Sequence, residues 1–117
     1  MGEISKLLAD AKGLIIEPSH WTQGASARNK KNWPVSSDNP DAVCFCADGA
    51  LVRTAGGLTD SYINASDLLS SVARELSGGY GFVNLNDGNA SIGQMSPHQA
   101  VLHAFDIAIE RAQKMGI

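Results

Sequence analysis

Apolar positions recur with a helical period in four stretches of the chain. In the first, about residues 3–16, Ile4, Leu7, Leu8, Ala11, Leu14 and Ile15 fall on one face, while Lys6, Asp10 and Lys12 take the wet side. Pro18 stands just past its end, where a helix stops. The second stretch runs from about Pro40 to Ala55. Asn39 suits an N-cap, Pro40 the first helical position, and Asp41 the positive end of the dipole. Val43, Cys46, Ala47, Ala50, Leu51 and Thr54 make one face, and Cys44, Phe45 and Val52 much of the other. A helix apolar nearly all round is expected at the centre of the fold. Gly49 inside it costs about 1 kcal/mol against alanine, which predicts a close approach of another backbone.

The third stretch, about residues 65–77, has Asn64 as cap, Asp67 in the capping-box position, and a stripe of Leu68, Leu69, Val72, Ala73 and Leu76 ended by Gly78-Gly79. The fourth, about residues 97–115, opens with Ser96-Pro97-His98-Gln99: a serine cap, a proline at the first position and a glutamine at the third. Val101, Leu102, Phe105, Ala108, Ile109 and Ala112 form its core face.

Residues 17–39 and 78–95 show neither period. A long connection in a small domain is either a functional loop or a disordered linker. Segment 17–39 holds both tryptophans, Trp21 and Trp33, and apolar area of that size argues against a linker. The segment is therefore expected to pack on the helices and to meet segment 78–95 on one face. The pattern predicts a mainly α fold: a single domain, residues 1–117, with about four helices around a buried second helix. Two long loops and at most a minor short β-hairpin complete it, with short strands allowed near Trp33-Pro34-Val35 and Phe82-Val83.

Composition narrows the class without naming an activity. At 117 residues with 44% hydrophobic and 18% charged positions, the chain can bury one core without metal or disulfide support. A net charge of −3 argues against general nucleic-acid binding. No apolar run reaches the ~18 residues of a membrane span, and the first residues lack a signal-peptide pattern, so no membrane association and a cytoplasmic location are expected. Cys44 and Cys46, two apart on one predicted helix, point to opposite sides and do not bridge; reduced thiols agree with that location. Two cysteines and three scattered histidines lack metal-site spacing, so no metal and no cofactor are expected.

Three constellations carry chemistry. Cys46 near the positive end of the second helix could serve as a nucleophile, with His20, His98 or His103 as base and Asp87 or Asn86 as orienter; Cys46, His98 and Asp87 are the candidate catalytic set. The plainer reading makes both cysteines small buried apolar residues, since no nucleophile-elbow glycines and no feeding strand are predicted. Trp21, Thr22, Gln23 and Arg28 combine a flat ring, a hydroxyl, an amide and a cation, a set able to stack on and hydrogen-bond a ligand; Asn86 and Asp87 join them from the second loop as candidate binding residues. The plainer reading packs Trp21 on the helices and pairs Arg28 with Asp48 or Asp87. The cluster Arg28, Lys30 and Lys31 suits one phosphate or carboxylate, or simply a solvated loop tip. Asn84, Asn86, Asp87 and Asn89 lack the acidic count and closing glutamate of an EF-hand loop, and Gly78-Gly79-Tyr80-Gly81 lacks the lysine of a phosphate loop.

The order of these pieces resembles a family of unknown function found in short bacterial and bacteriophage proteins. It is carried by Trp21-Thr22-Gln23-Gly24 with Ala27-Arg28, then Asp38-Asn39-Pro40-Asp41-Ala42-Val43, then Cys46-Ala47-Asp48-Gly49-Ala50-Leu51, and last Asn86-Asp87 before an alanine- and isoleucine-rich helix. Leu85 stands where the family pattern carries tryptophan. The resemblance implies a compact helical domain in a microbial or phage setting and no activity. Three functions follow from the sequence. The first is a non-catalytic phage or prophage accessory protein binding a host protein or small ligand through loops 17–39 and 78–95. The second is a cysteine-dependent hydrolase or transferase using Cys46, and the third a nucleotide-binding or nucleotide-sequestering protein. An oligomer is compatible with the sequence, which specifies none.

Overall fold

The computed structural model describes residues 2–117. Its elements are helix α1 (Glu3–Ile15), a 3-10 turn (Pro18–His20), strands β1 (Ala27–Asn29), β2 (Pro34–Val35) and β3 (Ala42–Phe45), then helices α2 (Ala47–Ala55), α3 (Asp60–Ser77), α4 (Phe82–Asp87) and α5 (Pro97–Met115). The fold is mainly α, as the apolar pattern predicts, with a small antiparallel sheet in the order β2-β1-β3.

Helices α1 and α5 form where a single amphipathic stripe and local caps agree. Ile4, Leu7, Leu8, Ala11 and Ile15 are buried along α1, and Ala100, Val101, Ala104, Phe105, Ala108 and Ala112 along α5. At the start of α5, Ser96 Oγ accepts from Gln99 N (3.2 Å) and Gln99 Oε1 accepts from Ser96 N (3.2 Å), the reciprocal pair of a capping box. Helix α1 packs against α2, α3 and α5, and one connected core runs through all of them. Alanines on the buried face of α5 let the neighbouring helices approach closely. No helix among the described residues is long and apolar enough to cross a membrane.

The region expected as one long second helix divides into a turn, a strand and a shorter helix. Asn39 does not cap a helix. Its Oδ1 accepts from Asp41 N (2.8 Å) and its carbonyl from Ala42 N (3.1 Å), which closes a turn instead. Ala42–Phe45 then extends and pairs with β1 in the register Ala27↔Phe45, Arg28↔Cys44 and Asn29↔Ala42, with a shift between Arg28 and Asn29. Val43, Cys44 and Phe45 are β-branched or bulky residues that suit a half-buried strand. The helix begins only at Ala47, where Cys46 Sγ accepts from Gly49 N (3.2 Å).

Segment 17–39 is likewise less irregular than its lack of period suggests, since it contributes the 3-10 turn, β1 and β2. The strand allowed at Pro34-Val35 is present, pairing Ala27↔Val35 and Arg28↔Pro34. The strand allowed at Phe82-Val83 is not, because that stretch opens α4 with Phe82 and Leu85 buried three residues apart. Helix α3 starts earlier than Asn64 would set it, since Thr59 Oγ1 accepts from Tyr62 N (3.1 Å) and Asn64 lies inside the helix.

The close approach anticipated at Gly49 is made by Ser26. A Cβ on Gly49 would overlap Ser26 O, the same carbonyl that accepts from Cys46 N (3.1 Å). Gly49→Ala must therefore push the 24–26 segment off α2, and we expect a loss of about 2 kcal/mol or more in urea unfolding. Gly13 has open space around its Cβ position and lies exposed in α1. Gly13→Ala should stabilise by about 0.5–1 kcal/mol in the same assay. Equal effects at the two glycines would show that the Ser26 contact is not the constraint.

Candidate functional site

The site begins with the burial of α4. Because Phe82 and Leu85 enter the core, Asn86 is carried in with them and is 1% exposed. A primary amide buried so deeply needs all of its hydrogen-bonding capacity met. Asn86 Oδ1 accepts from Trp21 Nε1 (2.8 Å) and from Ala47 N (2.9 Å), while Nδ2 donates to Thr22 O (3.0 Å) and to Asp87 Oδ1 (3.1 Å). One side chain thus joins the tryptophan loop, the N-terminus of α2 and its own helix. Gln23 Nε2 donates to Asn86 O (2.9 Å), and Asp87 Oδ1 also accepts from Gly24 N (3.0 Å), so residues 21–24 lie bonded along α4.

Trp21 is held on its other side by His98, whose ring centroid is 4.9 Å away. Thr22 N donates to Phe45 O (3.0 Å), adding one parallel bridge between Trp21 and Phe45 at the margin of the sheet. Arg28 does not pair with Asp48 or Asp87. It curls back on its own loop, donating from Nε to Thr22 Oγ1 (2.9 Å), from Nη2 to Gln23 O (3.1 Å) and from Nη1 to Asn32 O (3.2 Å). Three acceptors in reach of the planar fork satisfy the guanidinium better than a single distant carboxylate would. The structure therefore brings Trp21, Thr22, Gln23, Arg28, Asn86 and Asp87 into one network, with much of their polar capacity engaged on one another.

Beside that network opens a cavity of about 190 Å³, lined by Ala25, Ser26, Cys46, Asp48, Val83, Asn86 and Asp87. Asp48 comes from the first turn of α2, and its Oδ1 accepts from the Tyr62 hydroxyl (2.6 Å), which fixes the carboxylate. Among the described residues neither Asp48 nor Asp87 pairs with a cation. Burial pushes the Cys46 thiol up; the N–H of Gly49 works against this, and the Asp48 and Asp87 carboxylates add to it. The helix-terminal position that would favour a thiolate is thus outweighed.

Of the candidate catalytic set, Cys46 and Asp87 share this cavity wall. The structure directs His98 elsewhere: its Nε2 lies 2.7 Å from Ile15 O and so donates to that carbonyl, with the ring against Trp21. No hydrogen bond joins it to Cys46 among the described residues. No group of three metal-ligating side chains occurs among the described residues. Ser26, Asp48, Tyr62 and Val83 complete the site and were not singled out as site residues from the sequence. Asp48 carries a signal there, an acid one residue past the true helix start, which is hidden when the helix is begun at Pro40.

Comparison with known proteins bears on the family alone. The chain belongs to a family of unknown function, DUF6197, whose model matches residues 1–111, in agreement with the resemblance drawn from the sequence. No curated protein and no solved structure matches it.

Two measurements probe this arrangement. Asn86→Ala strips four hydrogen bonds from a buried position, and we expect a loss of about 2–4 kcal/mol in urea unfolding. Asn86→Asp keeps the acceptor but loses the donors to Thr22 O and Asp87, and should recover only a minor part. Full stability in either variant would remove Asn86 as the joint. The second measurement is pH-dependent. Burial, with the hydrogen bond to the Asp48 carboxylate and that carboxylate's charge adding to it, pushes the Tyr62 phenol up from 10.0 to about 12. A raised folded-state value means that the stabilisation is whole below pH 10 and is lost as pH rises towards 12. The unfolding midpoint should fall across that window in the native chain and fall less in Tyr62→Phe.

Proposed function

We propose that this chain is a non-catalytic binding protein that receives a cationic group, a guanidinium or ammonium, in the cavity walled by Asp48 and Asp87. The observation that carries this reading is a pair of carboxylates, without cation partners among the described residues, on a small cavity whose backbone is fixed by Asn86. A partly enclosed site with two fixed negative charges favours an incoming cation, and low local polarity strengthens the attraction. Small-molecule sites run to ~300–1,000 Å³. A cavity of about 190 Å³ suits a single protruding side chain instead. The natural ligand is then an arginine or lysine of a partner protein. In a bacterial or phage cytoplasm, a small accessory protein of this kind would act by engaging a host protein.

The cysteine-dependent alternative is less well supported, because burial raises the pKa of the Cys46 thiol and the candidate base His98 is committed to Ile15 O. A nucleotide is disfavoured at this cavity by the two carboxylates.

The test uses N-acetyl-arginine amide as a soluble mimic of the partner side chain, read by calorimetry and thermal shift. Saturable binding is expected, weakened about tenfold in Asp48→Asn and in Asp87→Asn, as for loss of a charged hydrogen-bond partner. Cys46→Ser, which replaces the sulfur that caps α2 with a hydroxyl oxygen and leaves both carboxylates in place, should keep a saturable response. Equal binding of the uncharged N-acetyl-norleucine amide would overturn the reading. Release of a product that depends on Cys46 would replace it with the hydrolase.

A further inference from the structure

A second concave surface lies at the β1–β2 hairpin, and shares no lining residue with the acidic cavity. The turn is tightly specified. Asn29 Oδ1 accepts from Lys31 N and from Trp33 N (both 3.0 Å), Asn29 N donates to Trp33 O (3.0 Å), and Asn32 N donates to Asn29 O (2.8 Å). Asn32 takes the left-handed conformation, φ 66°, that asparagine tolerates better than most residues. These bonds display rather than bury what the hairpin carries. Trp33 is 64% exposed, the more exposed of the two tryptophans, and Lys30 and Lys31 flank it in solvent.

Exposed indole area is costly unless something covers it. Here the indole borders a groove of about 520 Å³, lined by Asn29, Lys30, Lys31, Trp33, Pro40, Asp41 and Val43. That volume falls in the range of small-molecule sites. Pro40 and the half-exposed Val43 supply apolar wall, and Lys31 Nζ sits 5.7 Å from the Trp33 ring centroid. Neither lysine pairs with a carboxylate among the described residues. Two ammonium groups against the single Asp41 leave the groove positive on a chain of net charge −3.

The geometry points to a binding site for a flat heteroaromatic group carrying a phosphate, the chemistry of a nucleoside monophosphate. The ring stacks on Trp33 between the apolar residues, the phosphate meets Lys30 and Lys31, and Asp41 accepts a hydroxyl or amino hydrogen. Aromatic stacking is tolerant of which base is offered, and lysine acts on phosphate as a compact point charge. This assignment is independent of the acidic cavity, which repels the same ligand.

Adenosine monophosphate is the probe, with tryptophan fluorescence as the readout. The native chain should show saturable quenching. Trp33→Leu should abolish that quenching while Trp21 keeps its emission, and circular dichroism should confirm that the variant is folded. Lys30→Gln and Lys31→Gln should each weaken binding about fivefold and flatten its salt dependence. Adenosine, which lacks the phosphate, should bind about fivefold or more weakly. Quenching that survives in Trp33→Leu, or equal binding of adenosine, would overturn the assignment. So would the absence of a saturable response alongside co-sedimentation with phosphatidylglycerol vesicles, which would make the patch a lipid contact.

Discussion

The packing of the tryptophan loop against α2 and α4 rests on one carboxamide. Asn86 has the same donor and acceptor set as a peptide group, and it is used like one. It accepts from the N–H of Ala47, a helix-terminal donor with no partner inside α2, and donates to the carbonyl of Thr22. A buried backbone group left unpaired is costly, so two segments far apart in sequence are each held at a point where they would otherwise lose a hydrogen bond. The Trp21 indole N–H is satisfied by the same oxygen. No aliphatic side chain could do this, and a carboxylate could do only the accepting half. The cavity beside it inherits its shape from that joint, since Ala25 and Ser26 follow directly on the residues Asn86 holds.

The parts of this fold that were legible in the sequence are those where local and long-range forces agree. The first and last helices carry a single apolar stripe and recognisable ends, and Ser96-Pro97-His98-Gln99 has no competing interpretation. Gly49 was also legible, since a glycine inside a helix needs a reason and the Ser26 carbonyl supplies it. The second helix shows the opposite case. Asn39-Pro40-Asp41 has the same local chemistry whether it starts a helix or closes a turn. What decides between them is the pairing of Ala42–Phe45 with Ala27–Asn29, a partner far away in the chain with too few residues to show a strand period. Helix α4 was hidden for a related reason. Its six residues are flanked by glycine and rich in asparagine, so propensity points to a turn, and only burial of Phe82 and Leu85 makes it helical.

The site divides along the same line. That segments 17–39 and 78–95 meet was readable from tryptophan content and length, because so much aromatic area must find a surface. What each residue does there was not, because that depends on which polar groups remain free after folding. Trp21, Gln23 and Asn86 are tied largely within the network, whereas Asp48 and Ser26, which looked ordinary in the sequence, line the cavity together with Asp87. Arg28 illustrates the point. As a cation in a loop it could have met a ligand or a carboxylate, and it met neither, because three oxygen acceptors of its own loop lie within reach.

The two tryptophans, so alike in sequence, have opposite fates for one physical reason. Trp21 precedes a stretch that pairs with Phe45 and has His98 and Asn86 within reach, so its ring and its N–H are both accommodated. Trp33 closes a hairpin whose turn is pinned by Asn29, and the strand that follows it, Pro34-Val35, lies at the outer edge of the sheet. The backbone bonds that make the hairpin stable also prevent Trp33 from folding inward. Net charge conceals a similar contrast. A total of −3 averages an acidic cavity at the start of α2 with a basic groove at the hairpin tip. At physiological ionic strength charges act over only about 8 Å, so a ligand meets the local sign and not the average. Overall charge bears on solubility and on long-range encounter; the chemistry of each site follows from which charges the backbone leaves unpaired.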